Sequence, residues 1–285
     1  MIEYTLRGRN ETISTDFAGI ISLLNYYNYA KQYKNVTINL NLDGINFIDA
    51  NLCAYLYAIV YYLRHSRGIR TYIDFKSLVK ELHVLIRNGF TNYIAGNPTT
   101  FKPYDNRDTT IPLSHFSQSD ADAFCNYIER DFLHQRGLQR LKLIERENIV
   151  TSYFEIFDNV GIHANTSEPV FVCGQYFPKQ CELKFTLVDL GEGFLKKIAD
   201  FTKDTERISK SSDAVCWAVR GNSTKKGVMG GTGLKNIFLF CLRTGGSLQI
   251  VTDDCYYTMT ERKETTFKIP NPFRGSAINL IFKYL

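Results

Sequence analysis

The sequence predicts a layered α/β protein with two domains. Strand-like and helix-like segments alternate in its first half, an order typical of a sheet covered by helices. Its last segments, from GGSLQIVT to INLIFKYL, have the pattern of paired antiparallel strands. At 285 residues the chain is long enough for one large domain or two ordinary ones. Residues 96–114 include prolines and show little apolar periodicity, which makes them the best linker candidate.

The first half contains five clear segments. DFAGIISLLNYYNYAKQY (16–33) is amphipathic and predicts a helix, whereas VTINLNL (36–42) alternates like a strand. After INFIDA, a long apolar segment predicts a second helix. RTYIDF (70–75) then predicts a strand, and SLVKELHVLIRNGF (77–90) predicts a helix closed by a glycine. We therefore place a first α/β domain at residues 1–105.

The second half predicts helices, a strand and a glycine cluster before the closing strands. SQSDADAFCNYIERDFLHQRG begins with capping residues and predicts a helix that runs to Gly137. Another helix is expected from about Glu147, and CELKFTLVDL predicts a strand. A polar stretch, 200–226, separates that strand from the glycine cluster and a further helix. These elements make up the second predicted domain, residues 106–285.

Composition excludes several classes of function. The net charge of +5 comes from 34 basic and 29 acidic residues with no basic block, which is too weak a signal for nucleic-acid binding. No apolar run approaches the roughly 18 residues of a membrane helix, and MIEYTLRGRN lacks the apolar core of a signal peptide. Seven cysteines without a C-x-x-C pair favour free thiols over a zinc site. We expect a cytoplasmic protein that binds neither nucleic acid nor membrane.

Three polar residues recur at steps of four in YFEIFDNVGIHAN. Glu155, Asn159 and His163 move only about 40° per step around a helix, so they line one edge. A glutamate can act as a general base on water, and an asparagine carbonyl oxygen suits Mg²⁺. The alternative interpretation is a solvated edge that carries three unrelated polar residues.

A predicted strand ends in an aspartate followed by a glycine turn, VDLGEGF. Asp189 lies at the end of this strand and can accept a hydrogen bond from an exocyclic amine such as that of adenine. Gly191 and Gly193 allow the backbone to approach a flat ligand closely. An ordinary turn is the alternative, because D-x-G-x-G is short and common.

A glycine cluster opens the next predicted helix in KKGVMGGTGLKNIFLF. Glycine-rich backbone at a helix N-terminus presents unpaired N–H groups and partial positive charge, which suit phosphate. Lys226 and its neighbour Lys225 add charge, although the P-loop pattern is absent. A flexible turn with a helix cap is the alternative. The residues of the cluster are Gly230, Gly231, Thr232, Gly233 and Leu234.

Taken in order, the three motifs resemble the GHKL ATPase superfamily, which includes gyrase-type topoisomerases, heat-shock chaperones and histidine kinases. They match its N box and its two glycine boxes over roughly residues 120–285. The resemblance implies a two-layer α/β sandwich, the Bergerat-type ATP-binding fold. It also implies ATP as ligand, Mg²⁺ on Asn159, a catalytic base at Glu155, adenine on Asp189, and phosphates under the second glycine box. A mobile lid is implied at 197–229.

Within the superfamily, E-x-x-x-N-x-x-x-H with His163 looks most like the anti-sigma serine-kinase branch. Such folds place a hydroxyl on a late strand near the base. Ser276, in RGSAINLIF, and Thr266, in ETTFKIP, both suit that place, and the choice stays open. Gly161 inside the helix departs from the pattern and costs roughly 1 kcal/mol of helix stability relative to alanine.

The first domain looks similar to a STAS domain, the fold of anti-sigma antagonists. In VTINLNLDGINFIDANLCAYL a strand is followed by the loop FIDA, which opens a helix. The phosphorylatable serine of that family falls near Asn51, which cannot accept phosphate, so a phospho-switch is in doubt here. The resemblance implies a protein partner for this domain and allows a homodimer. A generic α/β domain in which Asp49 only caps a helix is the alternative.

The leading expectation is therefore a cytoplasmic ATP-binding regulator, a Mg²⁺-dependent ATPase switch that acts through protein–protein contacts. One alternative is a serine/threonine protein kinase of the anti-sigma type, and another is an interaction module without nucleotide chemistry. A histidine kinase is less expected, because none of the five histidines is followed by an acidic residue.

Overall fold

The structure is a computed structural model that describes residues 1–74, 82–96, 105–136, 138–163, 166–224 and 233–283. The chain divides into two compact units. One contains residues 1–114 and 171–175, and the other contains residues 115–170 and 176–285. Both contain helices and strands, so the predicted α/β class is confirmed at that level.

The first unit is built on a three-stranded parallel sheet. β1 (Ile2–Thr5) and β5 (Arg70–Tyr72) both run parallel to β3 (Thr37–Asn41), which lies between them. The strands predicted from VTINLNL and RTYIDF are therefore present. β2 (Thr12–Ile13) and β4 (Phe47–Ile48) form a separate parallel pair.

Two long helices belong to this unit. α1 (Phe17–Ala30) begins after Asp16, whose side chain accepts a hydrogen bond from the backbone N–H of Gly19 at 2.8 Å. α2 (Cys53–Arg67) ends at Gly68, which adopts the left-handed conformation, with φ 64°, that suits glycine at a helix C-terminus. Both helices lie where the apolar patterns predicted them.

Two short helices follow, α3 (His83–Arg87) and α4 (Phe90–Ile94), with Gly89 between them at φ 85°. The helix predicted over 77–90 therefore ends near the expected glycine. Its first part, residues 77–81, falls outside the described residues.

Sequence analysis missed two neighbouring strands, β6 (Thr110–Phe116) and β7 (Val170–Phe177). β6 begins inside the predicted linker, where Pro112 weakens the strand signal. β7 is buried along nearly its whole length, so its sequence VFVCGQYF shows no alternation between apolar and polar residues.

The second unit contains an antiparallel sheet in which β10 (Glu264–Lys283) lies between β8 (Glu182–Asp189) and β9 (Ser247–Thr260). The predicted antiparallel pairing of the closing strands is confirmed. The register of β10 with β9 is interrupted between Lys268 and Ser276, where the pairing shifts twice. Beyond that irregularity, pairing is continuous to the end of the sheet.

Three helices of this unit were predicted. α5 (Ala121–Tyr127) continues into a wider turn, Ile128–Phe132, so this helix ends before the predicted Gly137. α6 (Leu143–His163) begins earlier than expected. α9 (Gly233–Arg243) packs against α6 and against β9 and β10.

Two further helices lie in and just before residues 200–226, the segment that was predicted as a polar stretch. They are α7 (Leu195–Thr202) and α8 (Ser211–Val219). A small core of Ile198, Ala214 and Trp217 holds them together. Each helix is too short to show a clear period in the sequence, which explains why both were missed. Within the described ranges, no helix is both long and apolar enough to span a bilayer.

Candidate functional site

The second unit contains a cavity with about 860 Å³ of empty space, counted out to its open mouth. Its polar lining includes Asn159 of α6, Asp189 at the end of β8 and Ser276 of β10. Further polar side chains come from Lys197, Asn222, Ser223 and Thr224. The apolar part of the lining includes Ile156, Val160, Leu187, Phe194, Trp217 and Ile278. Apolar walls with a few converging polar groups are typical of a small-molecule site.

Asp189 is the last residue of β8, and its carboxylate is buried, with 6% of the residue exposed. The backbone N–H of Gly191 donates to its Oδ1 at 2.8 Å, and both the backbone N–H and the hydroxyl of Ser276 donate to the same side chain. Burial nevertheless raises the pKa of Asp189 to about 6. At neutral pH its ionised form is therefore an acceptor on the cavity wall.

Asn159 presents an acceptor without a partner. Its Oδ1 is buried, and no hydrogen bond reaches it from any described residue. Buried polar atoms are nearly always hydrogen-bonded, so an orphaned carbonyl oxygen on a cavity wall suggests that a ligand supplies the missing partner. An amide oxygen is also a ligand type that Mg²⁺ accepts, and the residue therefore fits the predicted metal.

Glu155 lies on the same helix but does not line the cavity. It is half-buried and packs against Gly233, the first residue of α9. A Cβ atom at Gly233 would lie 3.0 Å from Glu155 Oε2 and 2.8 Å from the backbone oxygen of Ser152. Close packing of α9 on α6 therefore requires a glycine here, and it brings the Glu155 carboxylate to the start of α9.

A second carboxylate, that of Asp253, also holds the turn after β8. Gly193 lines the cavity at φ 78°, and a Cβ atom there would lie 2.7 Å from Asp253 Oδ1. Asp253 Oδ2 accepts the backbone N–H of Leu195 at 3.1 Å, at the first turn of α7. The glycine turn and the start of α7 are thus fixed to β9 by one side chain.

The structure brings only one of the two late-strand hydroxyls to the cavity. Ser276 pairs directly with Asp189 across the sheet, whereas Thr266 lines a separate depression beside Asp254 and Lys268. Leu234, at the start of α9, also lines the cavity.

The remaining predicted site residues lie outside the described part of the chain. This applies to Lys226, Gly230, Gly231 and Thr232. His163 is the last residue of α6, and its side chain is likewise not described.

Sequence analysis missed Phe194, Lys197 and Trp217, which all line the cavity. Phe194 precedes α7, Lys197 lies on α7, and Trp217 lies on α8; only Trp217 falls inside the stretch 200–226 that was predicted as polar. Lys197 is the only cationic side chain among the described lining residues. Trp217 is the only tryptophan of the sequence, and this large apolar residue is the one signal of a packed segment there.

In the first unit, the segment that resembles a STAS domain forms a closed polar cluster. Asp49 accepts hydrogen bonds from the backbone N–H of Thr15 at 2.7 Å and from its hydroxyl at 2.6 Å. Asn51, fully buried, donates to the same hydroxyl at 3.0 Å. Asp49 occupies the N-cap position of the helical turn that follows but makes no side-chain cap to it, because its carboxylate accepts from Thr15 instead.

The sequence matches no protein-family model and no curated protein.

Proposed function

We propose that the second unit binds ATP with Mg²⁺ in this cavity, and that the chain is a regulatory ATPase of the GHKL type with a Bergerat-type sandwich in this unit. The observation that carries the proposal is the convergence of Asn159, Asp189 and Ser276 on one cavity. Asn159 and Asp189 come from two motifs that lie far apart in the chain, and Ser276 is one of the two hydroxyls expected on a late strand. Independent surface motifs have no physical reason to meet in this way.

Asp189 is suited to the amino group of adenine. Its carboxylate accepts hydrogen bonds, is ionised at neutral pH, and lies between apolar walls that can enclose a flat ring. Ser276 holds the carboxylate through two hydrogen bonds, so its orientation is set before a ligand arrives.

Asn159 would hold Mg²⁺ through its unpartnered Oδ1, and the ion, when bound, would neutralise phosphate charge. Glu155, further along the same helix edge, is the proposed general base that takes a proton from the attacking water. Its position against Gly233 at the start of α9 supports a role near phosphates, because a helix N-terminus favours anions.

The first unit is proposed to be the STAS-like module through which the protein contacts a partner protein, with a homodimer as one form of the assembly. The order of β3, the FIDA loop and α2 supports the likeness. Nucleotide binding in the second unit would then alter the surface that the partner meets, in the cytoplasm.

Titration with Mg·ATP tests the proposal directly. Trp217 lines the cavity and is the only tryptophan, so its fluorescence should change with binding, and calorimetry should give the same affinity. In the wild-type protein, removal of Mg²⁺ should weaken ATP binding. In Asn159→Ala this Mg²⁺ dependence should disappear. Absence of binding in both assays would leave the interaction-module alternative.

The reaction is tested with Glu155→Ala, which should bind Mg·ATP but lose turnover. Glu147→Ala is the matched control, because Glu147 is an exposed glutamate on the same helix. Normal hydrolysis by Glu155→Ala would show that the base is wrongly assigned. With γ-labelled ATP and candidate partners, free phosphate indicates an ATPase, and label on a serine or threonine of a partner indicates the kinase alternative.

A further inference from the structure

The hydroxyl of Thr252 lies behind the cavity wall and links two parts of it. Thr252 is on β9, directly opposite Ser276 in the strand register, and its side chain is fully buried. Its Oγ1 lies 3.1 Å from Ser276 Oγ and accepts the backbone N–H of Phe194 at 3.2 Å. Phe194 itself lines the cavity and immediately precedes α7.

The direction of these hydrogen bonds follows from counting protons. A serine hydroxyl carries a single proton. The hydroxyl proton of Ser276 goes to the Asp189 carboxylate, so Ser276 Oγ is an acceptor towards Thr252. The Thr252 proton has three acceptors within reach, of which Ser276 Oγ at 3.1 Å is nearest. The others are Gly275 O at 3.2 Å and Asp253 Oδ2 at 3.4 Å.

We assign the Thr252 proton to Ser276 Oγ, the nearest of the three acceptors, and the donors then form a chain that points one way. It runs from the Phe194 N–H to Thr252, from Thr252 to Ser276, and from Ser276 to the Asp189 carboxylate. Hydrogen bonds aligned head to tail polarise and strengthen one another in a buried setting. The carboxylate on one wall and the residue before α7 on another are therefore held by one network.

We propose that Thr252 is a positioning residue for base recognition. Through Ser276 it fixes the Asp189 carboxylate in the orientation that accepts the amino group of the ligand. Through the Phe194 N–H it links that orientation to another part of the cavity wall. This inference rests on the proposed function. It adds a residue that does not line the cavity and that belongs to none of the three motifs.

The test compares ATP with purine riboside triphosphate, which lacks only the amino group. Thr252→Val removes the hydroxyl at nearly constant volume and should weaken ATP binding about tenfold, as expected for the loss of a hydrogen bond that supports a charged acceptor. Binding of the analogue should change less than about threefold. Thr252→Ser keeps the hydroxyl and should retain the affinity of the wild type for both nucleotides.

Thr186→Val is the matched control, because Thr186 is also a fully buried threonine, on β8, and donates to Asn279 Oδ1 at 2.7 Å outside the chain of donors. It should leave the ratio of the two affinities unchanged. If Thr252→Val does not fold, Ser276→Ala interrupts the same chain and should show the same selective loss.

Equal losses for the two nucleotides, in Thr252→Val or in Ser276→Ala, would overturn the inference, since they would indicate general support of the cavity. An unchanged ATP affinity in a folded Thr252→Val would overturn it as well. If the wild-type protein binds neither nucleotide, the proposed function fails, and the inference fails with it.

Discussion

The two units each bury an aspartate at the end of a strand and loop, and the two carboxylates have different surroundings. Asp49 is 1% exposed and is enclosed with Thr15 and Asn51. Asp189 is 6% exposed, almost as buried, yet it forms part of a cavity wall. Both accept hydrogen bonds from a neighbouring hydroxyl.

The comparison shows that burial of a carboxylate is not by itself a functional signal. At Asp49 the surrounding protein closes over the cluster, which suits a role in fixing the loop before α2. At Asp189 the neighbouring wall includes Asn159, whose acceptor has no partner among the described residues. An open volume together with an unpartnered acceptor distinguishes a binding site from a structural cluster.

The largest expected effect on ATP binding comes from Asp189→Asn. The amide presents donors where the amino group of adenine needs an acceptor, and a hydrogen bond to a charged group contributes about 1.5–3 kcal/mol. ATP affinity should therefore fall by ten- to a hundredfold or so, measured by calorimetry. The melting temperature is measured in parallel, because the amide also has fewer acceptors for the hydrogen bonds from Gly191 and Ser276. An unaltered affinity would remove Asp189 from the binding site.

Asp49→Ala should instead lower stability. Loss of the carboxylate leaves the buried N–H and hydroxyl of Thr15 without their acceptor, at a cost of about 2–4 kcal/mol in the free energy of unfolding. Urea denaturation measures this change. Asp43→Ala, at an exposed position of the same unit, serves as control and should cost less than about 0.5 kcal/mol. A stable Asp49→Ala protein that no longer binds ATP would contradict the contrast drawn between the two carboxylates.

Acidification should weaken ATP binding through Asp189. Burial raises its pKa from 3.8 to about 6, so the carboxylate takes up a proton and loses acceptor strength as the pH falls below about 6. Affinity measured between pH 7.5 and 5 should decline in the wild type relative to Asp189→Asn. Parallel profiles for the two proteins would exclude this carboxylate as the titrating group.

Acidification affects stability in opposite directions through one aspartate of each unit. Because the pKa of Asp189 is raised on folding, the folded state binds the proton more readily than the unfolded state. The contribution of Asp189 to stability therefore increases as the pH falls from about 6 towards 4. Burial raises the pKa of Asp105, but hydrogen bonds from Thr110 and Arg87 lower it by more, so that the pKa falls to about 2. Its contribution is present above about 4 and is lost as the pH falls through about 2.

The smallest expected effect is that of Gly161→Ala. A Cβ atom there would lie 2.6 Å from Gln118 Oε1, the end of a flexible side chain that can move. The gain in helix propensity of up to about 1 kcal/mol should offset that movement, so the melting temperature should stay level or rise slightly. Gly233→Ala is the contrasting variant, since its Cβ would meet the backbone of Ser152, and it should be clearly destabilised. Equal destabilisation of the two would contradict this.

Strong local patterns predicted most of the elements that build the site. The alternation before Asp189 identified β8, and the apolar spacing around Glu155 and Asn159 identified α6. β7 escaped because a strand buried on both faces shows no alternation. α7 and α8 were not predicted, because the packing that stabilises them joins Ile198 to Trp217 across a loop and leaves no local pattern.

The sequence could not predict which of Ser276 and Thr266 lies near Asp189, for a different reason. Both are hydroxyls on the same strand, and only the pairing of β10 with β8 shows which one faces Asp189. The role of Thr252 depends on the pairing of β10 with β9 as well. Long-range register decides such contacts, and no local pattern records it.

The shifted pairing of β10 with β9 between Lys268 and Ser276 has a consequence for how the protein can vary. Side chains on a strand alternate between faces, so a single inserted or deleted residue would normally turn every following side chain over. An irregular segment can take up such a change before it reaches the regular ladder. Length differences in the hairpin that joins β9 to β10 can therefore accumulate while Ser276 keeps its orientation, which makes that hairpin a suitable point for inserting an affinity tag or a reporter peptide.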